Sequence, residues 1–223
     1  MRLSRIHRTL LVVAAASLGR ASSAAAQTAT ASRALLAPDR AALAVAAPDS
    51  FSVVFTTSRG EVEVLVHREW APLGADRLHY LATNGFFTGA RFFRVRPPFV
   101  VQFGLSGNPA VDAAFEAVPL KDEPVRTPNF IGTLVFANAG PDTRASQMFF
   151  NLSDNLQLDA RGFAPVGQIV RGLDVVMQLY SGYGEIAPSG AGPDQMMIMR
   201  DGNAYLRTNF PALDSIVVAN VKR

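Results

Sequence analysis

The sequence has no cysteine among its 223 residues and only three histidines, His7, His67 and His79. Without cysteine the chain forms no disulfide, has no thiol nucleophile and offers no cysteine ligand to a metal. Two isolated histidines beyond the N-terminal segment give no metal-ligand spacing, so we expect neither a metal nor another cofactor. Nucleophilic hydrolysis lacks its residues as well, because the sequence contains no Gly-x-Ser-x-Gly elbow.

Charged residues are also scarce, at 17% of the chain, whereas 49% of the residues are hydrophobic and 15 are phenylalanine. A chain of this length and composition can bury a sizeable core and is most simply one domain with appendages, which excludes an intrinsically disordered protein. The apolar run from Thr9 to Leu18 is shorter than the ~20 residues of a membrane-spanning helix. We therefore expect no stable membrane span.

The N-terminal segment has the three parts of a secretory signal peptide. A basic start from Met1 to Arg8 precedes the short apolar run, and a small-residue stretch ends in Ala24-Ala25-Ala26. We predict a signal peptide over residues 1–26, cleaved before Gln27, and hence an exported protein, either periplasmic or secreted. The alternative is an organelle-targeting or frayed N-terminus, because the segment is rich in arginine and has no acidic residue.

Removal of the signal peptide changes the charge balance. The whole chain carries 21 basic and 18 acidic residues, a net charge of +3. Cleavage removes Arg2, Arg5, Arg8 and Arg20 and leaves 17 basic residues against the same 18 acidic ones. Since the positive excess belongs to the export signal, we expect no nucleic-acid partner.

Three regions that follow the signal differ in their patterns. Residues 27–50 are rich in Ala, Ser and Thr and predict a flexible leader. From Phe51 onwards, apolar residues alternate on both sides of the turn Ser58-Arg59-Gly60 and predict a β-hairpin with one buried face. Helical spacing then predicts a helix from Leu73 to Thr83, and short apolar runs up to residue 170 predict further strands.

The C-terminal part predicts a second helix, from Leu173 to Tyr180, and a closing strand at residues 215–219. Residues 181–211 between them are weakly patterned, and we interpret them as an insertion in a domain that spans residues 51–223. Because the two helices do not alternate with the strands, the sequence predicts a mainly β fold, a closed antiparallel barrel.

Two of the apolar strand segments contain polar side chains. The stretch 92–104, FFRVRPPFVVQFG, includes Arg94 and Gln102, and residues 132–150 include Asn138 and Gln147. A buried arginine is costly unless it is paired or faces a cleft. A solvated strand face is the alternative explanation for Arg94, but a second segment of the same kind favours a cleft.

These two segments resemble, in order and spacing, the catalytic strand and the signature segment of the cyclophilins, which are peptidyl-prolyl cis-trans isomerases. The resemblance runs from about Phe51 to Tyr180. It implies an eight-stranded antiparallel barrel capped by two α-helices. It also implies that the chain isomerises X-Pro bonds, assists protein folding outside the cytoplasm, has unfolded or flexible proline-containing polypeptides as partners, and is a monomer.

The resemblance also implies roles for individual residues. Arg94 is the implied catalytic residue, which stabilises the twisted prolyl amide, with Gln147 beside it to orient it. Gln102 is implied to hydrogen-bond the substrate backbone. The remaining implied substrate-binding residues form an apolar pocket for the proline ring and a groove for the residues before proline: Phe99, Val100, Phe149 and Leu158 in the pocket, and Ala137 and Asn138 in the groove.

The sequence departs from the family pattern at three places. Gln157 stands where many cyclophilins carry a tryptophan in the cyclosporin site, so we predict weak cyclosporin binding. The histidine often found after Leu158-Asp159 is absent, and Phe163 is our candidate for the replacement pocket wall. Phe103 replaces a glycine that often follows the glutamine, and we expect it to narrow the floor of the site. The alternative function is a catalytically weak proline-peptide binding module or chaperone.

Overall fold

One antiparallel sheet of eight strands organises the computed structural model, which describes residues 33–222. The strands are β1 Ser50–Thr57, β2 Gly60–His67, β3 Arg94–Arg96, β4 Val100–Phe103, β5 Thr133–Phe136, β6 Met148–Asn151, β7 Pro165–Arg171 and β8 Ile216–Lys222. The predicted signal peptide, residues 1–26, lies outside the described residues. Within residues 33–222, none of the helices has both the length and the apolar character needed to cross a membrane.

The sheet curls but is not closed by a complete ladder. Its strand order is β3-β4-β6-β5-β7-β2-β1-β8, so β3 and β8 are the two ends. The segments that precede these strands meet at an isolated antiparallel bridge between Arg91 and Ser215. Backbone hydrogen bonds from Phe92 N to Asp214 O, 3.1 Å, and from Ile216 N to Ala90 O, 2.8 Å, flank it. The eight antiparallel strands confirm the predicted fold. The barrel is not fully closed as predicted, because an isolated bridge rather than a ladder joins the ends of the sheet.

The first hairpin confirms the alternation in the sequence. Val53 pairs with Val64 in the β1–β2 register, and both are fully buried. Glu63 and Val54 stand on the opposite face of the same two strands and are only partly buried. Apolar residues at every second position place one face of the hairpin in the core, and that burial holds the register.

Within residues 33–222, five α-helices and a 3-10 helix flank the sheet in addition to the helical residues 33–36, whereas only two helices were expected. The α-helices are α1 Arg40–Leu43, α2 Pro72–Thr83, α3 Pro109–Glu116, α4 Leu173–Met177 and α5 Gln195–Asn209, and the 3-10 helix is Leu156–Arg161. The two predicted helices correspond to α2 and to α4, which ends three residues earlier than predicted. Proline at the first position of α2 favours the start of the helix, because the N–H that proline lacks would have no partner within the helix at that position.

Helix α5 is the largest difference from the sequence-based interpretation, because it occupies the weakly patterned insertion. Its backbone is interrupted at Gly202, whose φ of 59° and ψ of −143° are not helical. Gly202 is itself buried, and the two other buried residues, Ile198 and Leu206, lie on either side of it. Residues 200–203 around the kink are polar or glycine, so the apolar pattern of the helix is interrupted and its spacing is not visible along the chain.

Part of the predicted flexible leader is ordered against α2. Residues 33–36 and α1 are helical, Tyr80 Oη donates to Ala34 O at 3.0 Å, and Ala47 N donates to Asp76 Oδ1 at 2.7 Å. Asp76 is also paired with Arg68, 2.7 Å away. Residues 33–50 therefore depart from the expectation of a flexible leader, because polar side chains of α2 and its flank hold their backbone.

An aromatic cluster fills the sheet interior. The Phe55 ring lies 5.5 Å from that of Phe87 and 5.7 Å from that of Phe103, and Phe103 stacks on Phe150 at 5.2 Å. Aromatic pairs at these separations add to the free energy of burial. Phe103 is fully buried in this cluster. The expectation that it narrows the floor of the site was therefore wrong. The reason is the strand alternation, which turns Phe103 away from the face that presents Gln102.

A buried carboxylate in α3 gives the fold a dependence on pH. Asp112 is fully buried; Ser106 N donates to its Oδ1 at 2.7 Å, and its Oδ2 has no hydrogen-bond partner. Burial raises the pKa of Asp112 to about 6, although the hydrogen bonds from Ser106 oppose the shift. The folded state therefore binds more protons than the unfolded state between the two pKa values, and the free energy of unfolding falls as pH rises through that range.

We expect Asp112→Asn to stabilise the protein at pH 7 by an amount on the order of 2 kcal/mol, because it removes the buried charge and keeps an acceptor for Ser106. The gain should vanish near pH 4, where wild-type Asp112 is protonated in the folded state. Urea unfolding at both pH values measures the difference. Equal stabilities of the two proteins at pH 7 would contradict the expectation.

Candidate active site

Four neighbouring strands place polar and apolar side chains in one row across the sheet. Arg94 on β3 pairs with Gln102 on β4, Gln102 pairs with Phe149 on β6, and Phe149 pairs with Val135 on β5. Paired residues of antiparallel strands point to the same face, so the register alone brings these side chains together. Strand alternation thus explains why an arginine and a glutamine occur among apolar residues.

The row opens onto a cavity of about 470 Å³. All ten residues named as the candidate site line this cavity: Arg94, Phe99, Val100, Gln102, Ala137, Asn138, Gln147, Phe149, Leu158 and Phe163. Sequence reasoning missed seven other lining residues: Glu116, Ala139, Thr143, Ala145, Arg161, Ile186 and Gln195. Ile186 and Gln195 belong to the insertion, for which the sequence offered no functional signal.

A chain of hydrogen bonds runs along the polar end of the row. Arg94 Nη1 donates to Gln102 Oε1 at 3.0 Å, and Gln102 Nε2 donates to Gln147 Oε1 at 3.0 Å. Gln147 therefore acts on Arg94 through Gln102 rather than by direct contact. The guanidinium also lies over the Phe99 ring, with Cζ 5.7 Å from the ring centroid. These contacts fix a cationic donor at the rim of the cavity.

The apolar end of the row is a separate hydrophobic cluster. Its buried members are Val100, Val135, Phe149 and Leu158, with Phe99, Ala137 and Phe163 packed against them. The rings of Phe163 and Phe149 meet edge to face at 5.7 Å. Phe163 follows the 3-10 helix, and its N–H donates to Leu158 O at 3.2 Å. The residue suggested as a replacement wall thus forms part of the apolar surface.

A further contact to Arg94 comes from Glu185, which no motif in the sequence singles out. Arg94 Nη2 donates to Glu185 Oε2 at 2.7 Å, and Nε lies 2.6 Å from Oε1 without hydrogen-bond alignment. Burial raises the pKa of Glu185, but the hydrogen bonds from Arg94 and Ile186 N, with the charges of Arg94 and Arg96, hold it below its usual value. The carboxylate is therefore ionised at neutral pH and pairs with the arginine.

Comparison with known proteins settles the family. The family model for cyclophilin type peptidyl-prolyl cis-trans isomerases matches residues 52–198. The chain is a cyclophilin. Its activity class follows from the family: it is a peptidyl-prolyl cis-trans isomerase, which confirms the resemblance in the two strand segments.

Named relatives of this cyclophilin have the same activity. A peptidyl-prolyl cis-trans isomerase of Acinetobacter baylyi is 34% identical over 130 residues, which cover 56% of this chain and 69% of the relative. Peptidyl-prolyl cis-trans isomerase A of Dickeya dadantii is 31% identical over 158 residues, which cover 68% of this chain and 80% of the relative.

Solved structures match the cyclophilin fold. A cyclophilin type peptidyl-prolyl cis-trans isomerase of Cryptosporidium parvum superposes with a TM-score of 0.59 at 17% identity, over 78% of this chain and 98% of that chain. The same isomerase in the presence of the dipeptide Ala-Pro gives a TM-score of 0.58 over 77% of this chain and 99% of that chain. At this identity the match concerns the fold alone.

Gln157 lies on the exposed side of the 3-10 helix, and its Nε2 donates to Asn155 Oδ1 at 3.3 Å. We expect cyclosporin to inhibit this cyclophilin only weakly, because no aromatic ring is present at that position. Gln157→Trp should lower the inhibitory concentration by at least about tenfold, since an indole adds a large apolar contact area. An isomerase assay with increasing cyclosporin measures both proteins, and nanomolar inhibition of the wild type would contradict the prediction.

Proposed function

We propose that this cyclophilin isomerises X-Pro bonds in unfolded or flexible polypeptides outside the cytoplasm and so assists their folding. The proline-containing substrate is supported by the apolar cluster beside a cationic donor, and by the related fold solved in the presence of Ala-Pro. The location outside the cytoplasm is supported by the basic, apolar and small-residue order of residues 1–26.

The chemistry needs no covalent intermediate and no cofactor. Rotation about an X-Pro bond faces a barrier of ~18–20 kcal/mol because amide resonance must be broken. The two isomers themselves differ by only about 0.5–1 kcal/mol, so the enzyme has only to stabilise the twisted state between them. Interactions that are stronger in that state than in either planar isomer raise the rate.

Arg94 is the residue we assign to that stabilisation. In the twisted state the prolyl nitrogen is pyramidal and carries a lone pair, to which a guanidinium can donate. Arginine stays protonated at every physiological pH, so its donor is always present. The single observation that carries the assignment is that Arg94 stands at one end of the row whose other end is the apolar cluster of Val100, Phe149 and Leu158.

The remaining lining residues hold the substrate on each side of the bond. The proline ring fits the apolar cluster, where burial removes its apolar surface from water. Gln102 is 6% exposed and has an amide beside Arg94 that can bond the peptide backbone. Ala137 and Asn138 border the part of the cavity assigned to the residues before proline. We expect the enzyme to act as a monomer.

A protease-coupled isomerisation assay on an Ala-Pro peptide, with the chain that begins at Gln27, tests the catalytic proposal. We expect a rate that increases in proportion to enzyme concentration. A rate equal to the uncatalysed one, together with retained peptide binding, would favour a binding module or chaperone instead. The export proposal is tested separately by expressing the full chain and determining the N-terminus of the product in each cell fraction.

A further inference from the structure

The contacts of Arg94 with other residues use only some of its hydrogen-bond donors. A guanidinium has five N–H groups. One N–H of Nη1 goes to Gln102, one N–H of Nη2 goes to Glu185, and Nε faces the Glu185 carboxylate. A further N–H on each terminal nitrogen is left for a substrate. Two partners therefore restrain the planar group from different atoms, while both terminal nitrogens keep a donor.

Glu185 is itself held tightly. Its carbonyl oxygen accepts a hydrogen bond from Gly192 N at 2.8 Å, and Ile186 N donates to its Oε1 at 3.0 Å. A Cβ atom at Gly190 or at Gly192 would lie 2.4 or 2.6 Å from the same carbonyl oxygen, so only glycine allows this approach. The loop around Glu185 therefore has little freedom to move the carboxylate away from Arg94.

A second apolar cluster fastens the insertion to the strand that carries Arg94. The cluster consists of the buried Phe93, Leu105, Ile198, Leu206 and Leu213, with Tyr183 and Ile186 among the residues packed against it. Phe93 directly precedes Arg94, so the residues on both sides of the ion pair are attached to the same cluster. Burial of several large apolar side chains is enough to keep a segment of this length docked.

The location of the Glu185 carboxylate relative to the cavity bears on whether it supports Arg94 or obstructs the substrate. Ile186 and Gln195 line the cavity, whereas Glu185 does not. The carboxylate thus binds a guanidinium of the cavity lining without belonging to that lining itself. Both side chains are 19% exposed, so the pair is sheltered from salt and its orientation is better defined than that of a surface pair.

We propose that Glu185 is a positioning residue for the isomerase reaction, which holds the Arg94 guanidinium in the orientation that stabilises the twisted prolyl amide. The inference rests on the proposed function of Arg94. It assigns a role to the insertion, whose helix and loop place a carboxylate behind the catalytic arginine. Glu185 acts on the transition state through Arg94 and makes no contact of its own with substrate.

Three variants of Glu185 and one control test the proposal. Glu185→Ala removes the carboxylate, Glu185→Gln removes its charge at equal size, and Glu185→Asp keeps the charge one methylene farther away. Glu61→Gln makes the same chemical change at an exposed ion pair, in which Glu61 Oε2 lies 3.3 Å from Arg171 Nη1. Catalysed exchange of an Ala-Pro peptide, followed by NMR at saturating and subsaturating peptide, separates kcat from KM.

For Glu185→Ala and Glu185→Gln we expect kcat about tenfold lower with KM within about twofold of the wild type, because misplacing one catalytic group affects the transition state more than binding. Glu185→Asp should recover part of the loss, and Glu61→Gln should match the wild type. Unchanged kcat in all three Glu185 variants would overturn the proposal. An increase in kcat would overturn it too, since it would mean that Glu185 restrains the arginine from acting.

The mobility of Arg94 gives a readout that does not depend on catalysis. The ¹⁵N relaxation of its Nε–H should report a rigid side chain in the wild type and in Glu61→Gln, and a mobile one in Glu185→Ala. A rigid Arg94 in Glu185→Ala would overturn the proposal. If the wild type showed no isomerase activity, the proposed function would fail on the rate assay, whereas the restraint of Arg94 by Glu185 would still be decided by relaxation.

Discussion

Arg94→Ala is expected to lower kcat/KM for an Ala-Pro peptide by at least about a hundredfold, the usual loss when one preorganised donor to the transition state is removed. The fold should survive, because the Arg94 side chain lies at the cavity rim and belongs to none of the hydrophobic clusters. Glu185 keeps Arg96 as a partner, 3.6 Å away, so no carboxylate is left unpaired.

Two further variants define what the arginine supplies. Arg94→Lys keeps the positive charge but loses the planar group that donates to Gln102 and to Glu185 at the same time. We therefore expect this variant to lose most of the activity as well. Arg171→Ala removes an exposed, ion-paired arginine from β7 and should leave the rate unchanged. Circular dichroism and urea unfolding verify that each variant is folded. A wild-type rate in folded Arg94→Ala would remove Arg94 from the mechanism.

The strand segments of the site could be predicted from the sequence because their pattern is local. In β4, Val100 and Gln102 face the cavity while Val101 and Phe103 face the core, as the two-residue period of a strand requires. Family resemblance supplied what periodicity could not, namely that the segments around Arg94 and Gln147 face one another. All ten predicted residues consequently line one cavity.

Glu185 could not be found in the same way. It lies 91 positions from Arg94 along the chain, in a segment of turns where no period marks which side chain points inward. The kink at Gly202 hid the helix that fastens this segment, and the resemblance seen in the sequence ends before it, at about Tyr180. Such a contact depends on tertiary packing alone, which propensity and spacing do not encode.

A buried ion pair, which the sequence did not indicate either, adjoins the cavity wall where Arg144 lies between the lining residues Thr143 and Ala145. Arg144 is 1% exposed, its Nη1 lies 3.0 Å from Glu123 Oε2, and its Nη2 donates to Lys121 O. Glu123 also accepts from Leu73 N at 2.6 Å and from Gly74 N at 3.1 Å. One carboxylate thus neutralises a buried arginine and satisfies the first N–H groups of α2, which has no side-chain cap of its own.

Glu123→Ala should therefore lower the free energy of unfolding by about 3 kcal/mol, because it leaves the buried Arg144 charge with the more distant Asp122, whose Oδ1 lies 4.0 Å from Arg144 Nε. Urea unfolding at neutral pH measures the loss, with Glu61→Ala as the control for an exposed pair, which we expect to cost at most about 1 kcal/mol.

Glu123→Leu combined with Arg144→Met removes both charges and should be more stable than Glu123→Ala, since apolar residues can replace a buried pair at little cost. The stability that the double variant still lacks relative to the wild type measures what Glu123 contributes by accepting the first N–H groups of α2. If Glu123→Ala were no less stable than Glu61→Ala, the ion pair would not hold this wall. The isomerase rate of the folded double variant is a separate measurement. A rate equal to that of the wild type would show that the loop carrying Asn138 and Gln147 keeps its place without the ion pair.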